Sequence, residues 1–151
     1  MSTQISLGTK ILTLCFLFLL IPYSGWPSVS PFDVSINPNS GNRYTSAFCA
    51  DLDGNGRLDL AVANSKSNTI SIFKNKGDGT FQSAVNYAAG DHPVSIFCAD
   101  LDGDGYLDLA VANSGSNTVS ILKNKGDGAF RTAVSYGVGN SPHSIFCADL
   151  D

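Results

Sequence analysis

The sequence predicts an all-β fold made of repeated units of four antiparallel strands. Three observations predict it. A block of 49 residues recurs along the chain. Each block divides into short apolar or alternating runs separated by Asn, Asp, Gly and Ser turns, and no stretch sustains a helical period. All 13 acidic residues of the 151 are aspartate. Aspartate is a turn and loop residue, whereas the absent glutamate is a good helix former. The remaining composition narrows the class further. A net charge of −4 with scattered lysines offers no basic patch to phosphates, which argues against nucleic-acid binding. A hydrophobic content of 43% excludes a disordered chain.

The repeat is direct. Phe48-Cys49-Ala50-Asp51-Leu52-Asp53 returns as Phe97-Cys98-Ala99-Asp100-Leu101-Asp102 and again as Phe146-Cys147-Ala148-Asp149-Leu150-Asp151. Aligned without gaps, 42–90 and 91–139 share 33 identical residues of 49. Phe32, Phe81 and Phe130 stand in the same register, so the units are written 32–80, 81–129 and a partial 130–151.

Within the second unit, Phe81 to Tyr87 reads as one strand, ended by Ala88-Ala89-Gly90 and Pro93. Val94 to Ala99 is the next and enters an Asp/Gly loop. Leu107 to Ala112 follows, with Leu109 and Val111 on one face. Ser116-Asn117 forms a turn into Thr118 to Lys123, where Val119 and Ile121 alternate with Ser120. Asn124-Lys125-Gly126-Asp127-Gly128 then makes a hairpin into the following unit. Four short strands in 40–50 residues is the size of a β-propeller blade. The chain thus holds two full blades plus partial ones. The run Phe32 to Asn37 has the phase of a last strand, and its expected role is to pair into a final blade.

The amino terminus reads as an address. Lys10 is the one charged side chain in 1–31, and an apolar run from Ile11 to Ile21 follows it. A helix of that length spans roughly 16 Å, about half a bilayer core. With Pro22, Ser24 and Gly25 behind it, the segment 1–26 reads as a secretory signal peptide, and 27–31 as a linker. Export to the cell surface or medium follows, with no membrane span beyond the signal.

Nine of the 13 aspartates fall in the three copies of one loop. The first copy runs from Asp51 through Asp53 and Asn55 to Asp59, the second from Asp100 through Asp102 and Asp104 to Asp108. Oxygen-bearing side chains occupy positions 1, 3, 5 and 9, and Gly56 or Gly105 occupies position 6. Calcium is a hard cation that takes six to eight oxygens. Alternate residues of a tight loop can point inward together, and the glycine permits the sharp turn. Position 7, Arg57 or Tyr106, contributes a backbone carbonyl, which leaves its side chain free to vary. Position 9 can supply a bidentate carboxylate. The first loop reads as the weaker site, because Asn55 replaces a carboxylate and Arg57 adds a positive charge. The third copy contributes Asp149 and Asp151. An EF-hand is excluded, since position 12 is Val62 or Val111 within an expected strand rather than a glutamate between helices.

The stretch SIFCADLDGDGYLDLAVANSGSNTVSILKNKGDGAF (95–130) resembles an FG-GAP/VCBS-type repeat, the blade unit of integrin-α-like propellers. The resemblance covers 32–151. It implies a seven-bladed propeller with calcium in hairpin loops between strands of a blade. It also implies the ligand sets Asp51, Asp53, Asn55, the Arg57 carbonyl and Asp59, then Asp100, Asp102, Asp104, the Tyr106 carbonyl and Asp108. The Phe-Gly and Gly-Ala-Pro elements of the family are degenerate here, with Gly79-Thr80-Phe81 and Gly90-Asp91-His92-Pro93 in their places. Seven such units would need about 340 residues, so the expectation is a chain truncated at its carboxyl end.

The other reactive residues point elsewhere. Cys49, Cys98 and Cys147 hold equivalent places in successive units and read as small buried hydrophobes rather than disulfide partners. His92 and His143 are out of repeat register and expected on solvated loops, with no zinc spacing around them. Lys74, Lys76, Lys123 and Lys125 read as solubilising edge charges. No Gly-x-Ser-x-Gly elbow or nucleophile–base pair is present, so the chain is not expected to be an enzyme. The function expected is a secreted or surface calcium-binding module for adhesion or ligand binding, with an extracellular protein or carbohydrate as partner. The alternative is the scaffold or substrate-binding part of a secreted hydrolase or lyase whose catalytic residues lie in other sequence.

Overall fold

The computed structural model describes residues 44–150. The expected signal 1–26, the linker 27–31, the strand 32–37 and Asp151 lie outside the described residues. Eight strands follow in order: β1 (Tyr44–Ala50), β2 (Asp59–Asn64), β3 (Thr69–Phe73), β4 (Val85–Ala88), β5 (Pro93–Ala99), β6 (Asp108–Asn113), β7 (Thr118–Leu122) and β8 (Val134–Gly137). They form two four-stranded sheets, ordered β1-β2-β3-β4 and β5-β6-β7-β8, with every pair antiparallel. The fold among the described residues is therefore all-β, in sheets of the kind that build propeller blades. Each sheet takes three strands from one 49-residue unit and its fourth from the start of the next, so the structural blades run 44–88 and 93–137. No helix among the described residues is long and apolar enough to cross a membrane.

One expected strand is shorter than its sequence suggests. The run 81–87 is not continuous: Phe81 bridges Asn75, and the ladder resumes only where Val85 faces Ile72. Two residues separate Ile72 from Asn75, but three separate Phe81 from Val85. The extra residue bulges out and breaks the strand. The second sheet repeats the irregularity between the Asn124–Phe130 bridge and the Ile121–Val134 pair.

The central strands are buried on both faces. Ala61, Ala63, Ile70 and Ile72 in the first sheet and Leu109, Val111 and Leu122 in the second are all fully enclosed. Such near-continuous apolar runs need cover on each side, and the adjacent sheet provides part of it. Several polar groups within this core are paired across the sheet, although Asn113 Oδ1 has no hydrogen-bond partner. Asn64 Nδ2 donates to Ser71 Oγ at 2.8 Å, and Ser71 Oγ donates to Asn86 Oδ1 at 2.6 Å. Asn113 Nδ2 donates to Ser120 Oγ at 2.9 Å, which bonds Ser135 Oγ in turn.

The sheets pack through their first strands. Phe48 and Phe97 lie 5.4 Å apart at the ring centroids, and Phe97 and Phe146 4.8 Å apart, so one aromatic residue per repeat builds a continuous stack. The Ile96 amide donates to Ser46 Oγ, and one repeat later the Ile145 amide donates to Ser95 Oγ. Tyr87 meets Phe130 edge-on at 5.4 Å. The turn residue Asn68, at φ +58°, accepts the Ala89 amide on its carbonyl and the His92 amide on its side chain, which fastens the link between the sheets. The cysteines follow position rather than a common rule. Cys98 is buried, Cys147 half-buried and Cys49 exposed, so the expectation of three buried thiols holds for the middle one alone. Burial pushes the Cys98 thiol up to about 12, with Cys49 and Cys147 adding to the effect. Among the described residues a flanking repeat covers the middle copy from each side, whereas each outer copy is covered from one side. Both histidines are exposed, as expected.

Candidate metal loops

Each Asp-rich loop joins the first strand of a sheet to the second. The ninth position, Asp59 or Asp108, is already the first residue of β2 or β6 and is fully buried. Asp59 Oδ2 accepts the Leu52 amide at 3.1 Å, and Oδ1 accepts the Asn75 amide at 2.8 Å. Asp108 Oδ1 accepts the Asn124 amide at 2.8 Å. These bonds tie loop, strand and following hairpin together. Burial raises both carboxyls above the usual aspartate range, and the neighbouring loop aspartates push the same way, against the backbone donors that lower them.

The first position shapes the loop itself. Asp51 accepts the Asn55 amide on one oxygen and the Gly56 amide on the other, at 3.1 and 2.7 Å. Asp100 accepts the Gly103, Asp104 and Gly105 amides at 2.8–3.2 Å. The fifth position folds back on the chain, Asn55 Oδ1 accepting the Arg57 amide and Asp104 Oδ1 the Tyr106 amide. Gly56 and Gly105 sit at φ +81° and +87°, a conformation that favours glycine.

In the first loop, carboxylate oxygens of Asp51, Asp53 and Asp59 lie within 4.8 Å of one another. In the second, those of Asp100, Asp102 and Asp104 do so. Asp108 is not part of the second trio. Among the described residues three buried side-chain oxygens have no hydrogen-bond partner, Asp53 Oδ1, Asp108 Oδ2 and Asn113 Oδ1, and the first two belong to these loops. A buried carboxylate oxygen without a donor is costly, and a divalent cation among clustered acids would satisfy it. The all-oxygen donor set suits calcium rather than a softer metal. Asp149 is exposed near the end of the described residues.

The side chains at position 7 have a use of their own. Arg57 lies over Gly77, donating to the Lys76 carbonyl at 3.1 Å, and Tyr106 lies over Gly126. Any side chain at either glycine would collide with them. The lysines also do more than dissolve the edge. Lys123 pairs with Asp102 at 2.9 Å, which raises the lysine and holds the carboxyl below its usual range. Lys74 at the same repeat position reaches across to the Asp127 carbonyl of the second sheet.

Two residues escaped the sequence reading. Asn75 Nδ2 donates to the Leu58 carbonyl at 3.0 Å, and Asn124 Nδ2 donates to the equivalent Leu107 carbonyl at 2.9 Å. Asn124 also reaches the Leu52 carbonyl of the first loop at 2.8 Å. The signal available was their equivalence in the repeat, 49 residues apart, in a segment read only as a hairpin.

The model of the FG-GAP-like repeat matches residues 51–111 and 100–151. No curated protein matches the chain. The two matches begin at the first aspartate of each loop, and together they span most of the sequence. With two repeated four-stranded sheets and the loop between their first and second strands, the chain belongs to the FG-GAP-like repeat family.

Proposed function

We propose that the chain is a secreted or cell-surface module of propeller type, stabilised by calcium in its Asp-rich loops and serving adhesion or ligand binding. The observation that carries the reading is the repeated clustering of three carboxylates, together with a buried carboxylate oxygen lacking a hydrogen-bond partner in each loop, on Asp53 in the first and Asp108 in the second. Asp51, Asp53 and Asp59 would hold one ion, with Asn55 and the Arg57 carbonyl completing the set. Asp100, Asp102 and Asp104 would hold the other, with Asp108 and the Tyr106 carbonyl. The ion would neutralise crowded charge and let the buried ninth aspartate stay ionised. Its part is structural: it fixes the loop between the first two strands of each sheet. The partner is an extracellular protein or carbohydrate met by the loops that this rigid frame presents.

Extracellular calcium modules bind at about 10⁻⁴–10⁻³ M, matching an external supply. At about 10 mM calcium, such a site adds about 1.4–2.7 kcal/mol of stability, or an increase of about 5 °C or more in Tm. The test is a thermal melt of the full chain with excess calcium, with excess magnesium and with chelator. The expected result is a midpoint raised by calcium well beyond magnesium. An identical midpoint in calcium and chelator contradicts the reading.

A further inference from the structure

We infer that Asn124 is a positioning residue that couples the two loops, so that filling one strengthens binding at the other; this rests on the calcium reading above. Asn124 is buried, and its side chain meets both loops at once. Nδ2 donates to the Leu52 carbonyl, between Asp51 and Asp53, and to the Leu107 carbonyl, directly before Asp108. Its backbone amide donates to Asp108 Oδ1. Its Oδ1 accepts the Gly126 and Gly128 amides at 3.0 and 3.2 Å, which fixes the orientation of the side-chain amide. Every strong hydrogen-bonding site of the side chain is thus occupied. A shift of the 51–53 segment on binding an ion is felt at the backbone next to Asp108 through one rigid group. Leu52 itself is packed into the same junction, 2% exposed, against 39% for its repeat partner Leu101.

Asn75 supplies an internal control. It makes the same bonds within the first sheet, to the Leu58 carbonyl and to Asp59, but among the described residues it reaches no second loop. Coupling between two binding sites is reciprocal, so it can be read at either one.

The reading is taken at the second loop. Terbium, a calcium mimic, is excited through Tyr106 at position 7 of that loop, and loss of the signal in Tyr106→Leu verifies the assignment. The concentration at half-saturation is measured in the full chain, with and without Asp51→Asn plus Asp53→Asn, in wild-type, Asn124→Ala and Asn75→Ala backgrounds. Disabling the first loop is expected to raise the half-saturation concentration about fivefold or more in the wild-type and Asn75→Ala proteins, and to leave it unchanged within about twofold in Asn124→Ala. The cycle removes any simple effect of lost charge, which is the same in all backgrounds. No shift in wild type, or an equal shift in all three, overturns the coupling while leaving the calcium reading intact. A wild-type signal that does not saturate or is not displaced by calcium overturns both. If Asn124→Ala does not fold, Asn124→Ser replaces it, keeping a small polar group that cannot span both carbonyls.

Discussion

The loops 51–59 and 100–108 share seven of nine residues, yet they sit in different surroundings. The first is roofed by the hairpin of the second sheet. Leu52 is buried there, the Leu52 carbonyl receives Asn124, and Lys74 is drawn off to the Asp127 carbonyl. Among the described residues Asp53 is left with a buried oxygen and no ion pair, and the loop brings carboxylates of Asp51 and Asp53 together with the buried Asp59. The second loop has no such roof among the described residues. Leu101 is exposed, and Lys123 turns inward to pair with Asp102. Nearly identical sequence thus makes a covered loop in one copy and an open one in the other. The environment of each loop is set by the following repeat as much as by its own residues.

The largest expected break in this comparison comes from the two leucines. Leu52→Ala removes a fully packed side chain and is expected to cost about 2–5 kcal/mol. Leu101→Ala at the same repeat position is expected to cost under about 1 kcal/mol. Denaturant melts of the two variants measure it, and equal losses would show that the covering hairpin contributes nothing.

A smaller contrast separates Gly128 from Gly79, which hold the same hairpin position. Both have positive φ, +70° and +86°, so alanine at either is strained by about 1–2 kcal/mol. A Cβ on Gly128 would also stand 3.0 Å from Asp53 Cβ and 2.9 Å from Lys74 Cε, whereas Gly79 faces open space. Gly128→Ala should therefore destabilise more than Gly79→Ala in the same melts and, unlike it, weaken cation binding at the first loop. Equal behaviour would mean that the hairpin does not press on that loop.

The smallest contrast is between the lysines. The Lys123–Asp102 pair is exposed, and such pairs are worth about 0–1 kcal/mol. Lys123→Ala should raise calcium affinity at the second loop by no more than about fivefold, since the ion no longer displaces an ammonium. Lys74→Ala should leave affinity at the second loop unchanged. A fall in second-loop affinity in Lys123→Ala would contradict the competition.

The strands were legible in the sequence because their causes are local. Alternation in 118–122 and turn residues such as Asn68 and Asn117 mark the elements wherever they stand. The loop carboxylates were legible too, as spacing alone brings Asp51, Asp53 and Asp59 near one another. What stayed hidden depends on neighbours far along the chain. Leu52 and Leu101 are indistinguishable by sequence, but only Leu52 meets a residue 72 positions away. Ranking the first loop as the weaker site counted charges and missed that Lys123, not Arg57, is the cation paired with a loop aspartate. The bulge that shortens the strand beginning at Phe81 is a difference of one residue between facing segments, which no single run displays.

The central claim is that both loops are calcium sites. Isothermal calcium titration of the full chain tests it most directly, beside one variant carrying Asp51→Asn with Asp53→Asn and another carrying Asp100→Asn with Asp104→Asn. The account predicts at least these two sites in the wild-type chain and the loss of one in each variant. No binding heat in the wild-type chain, or a stoichiometry that neither variant changes, would contradict it.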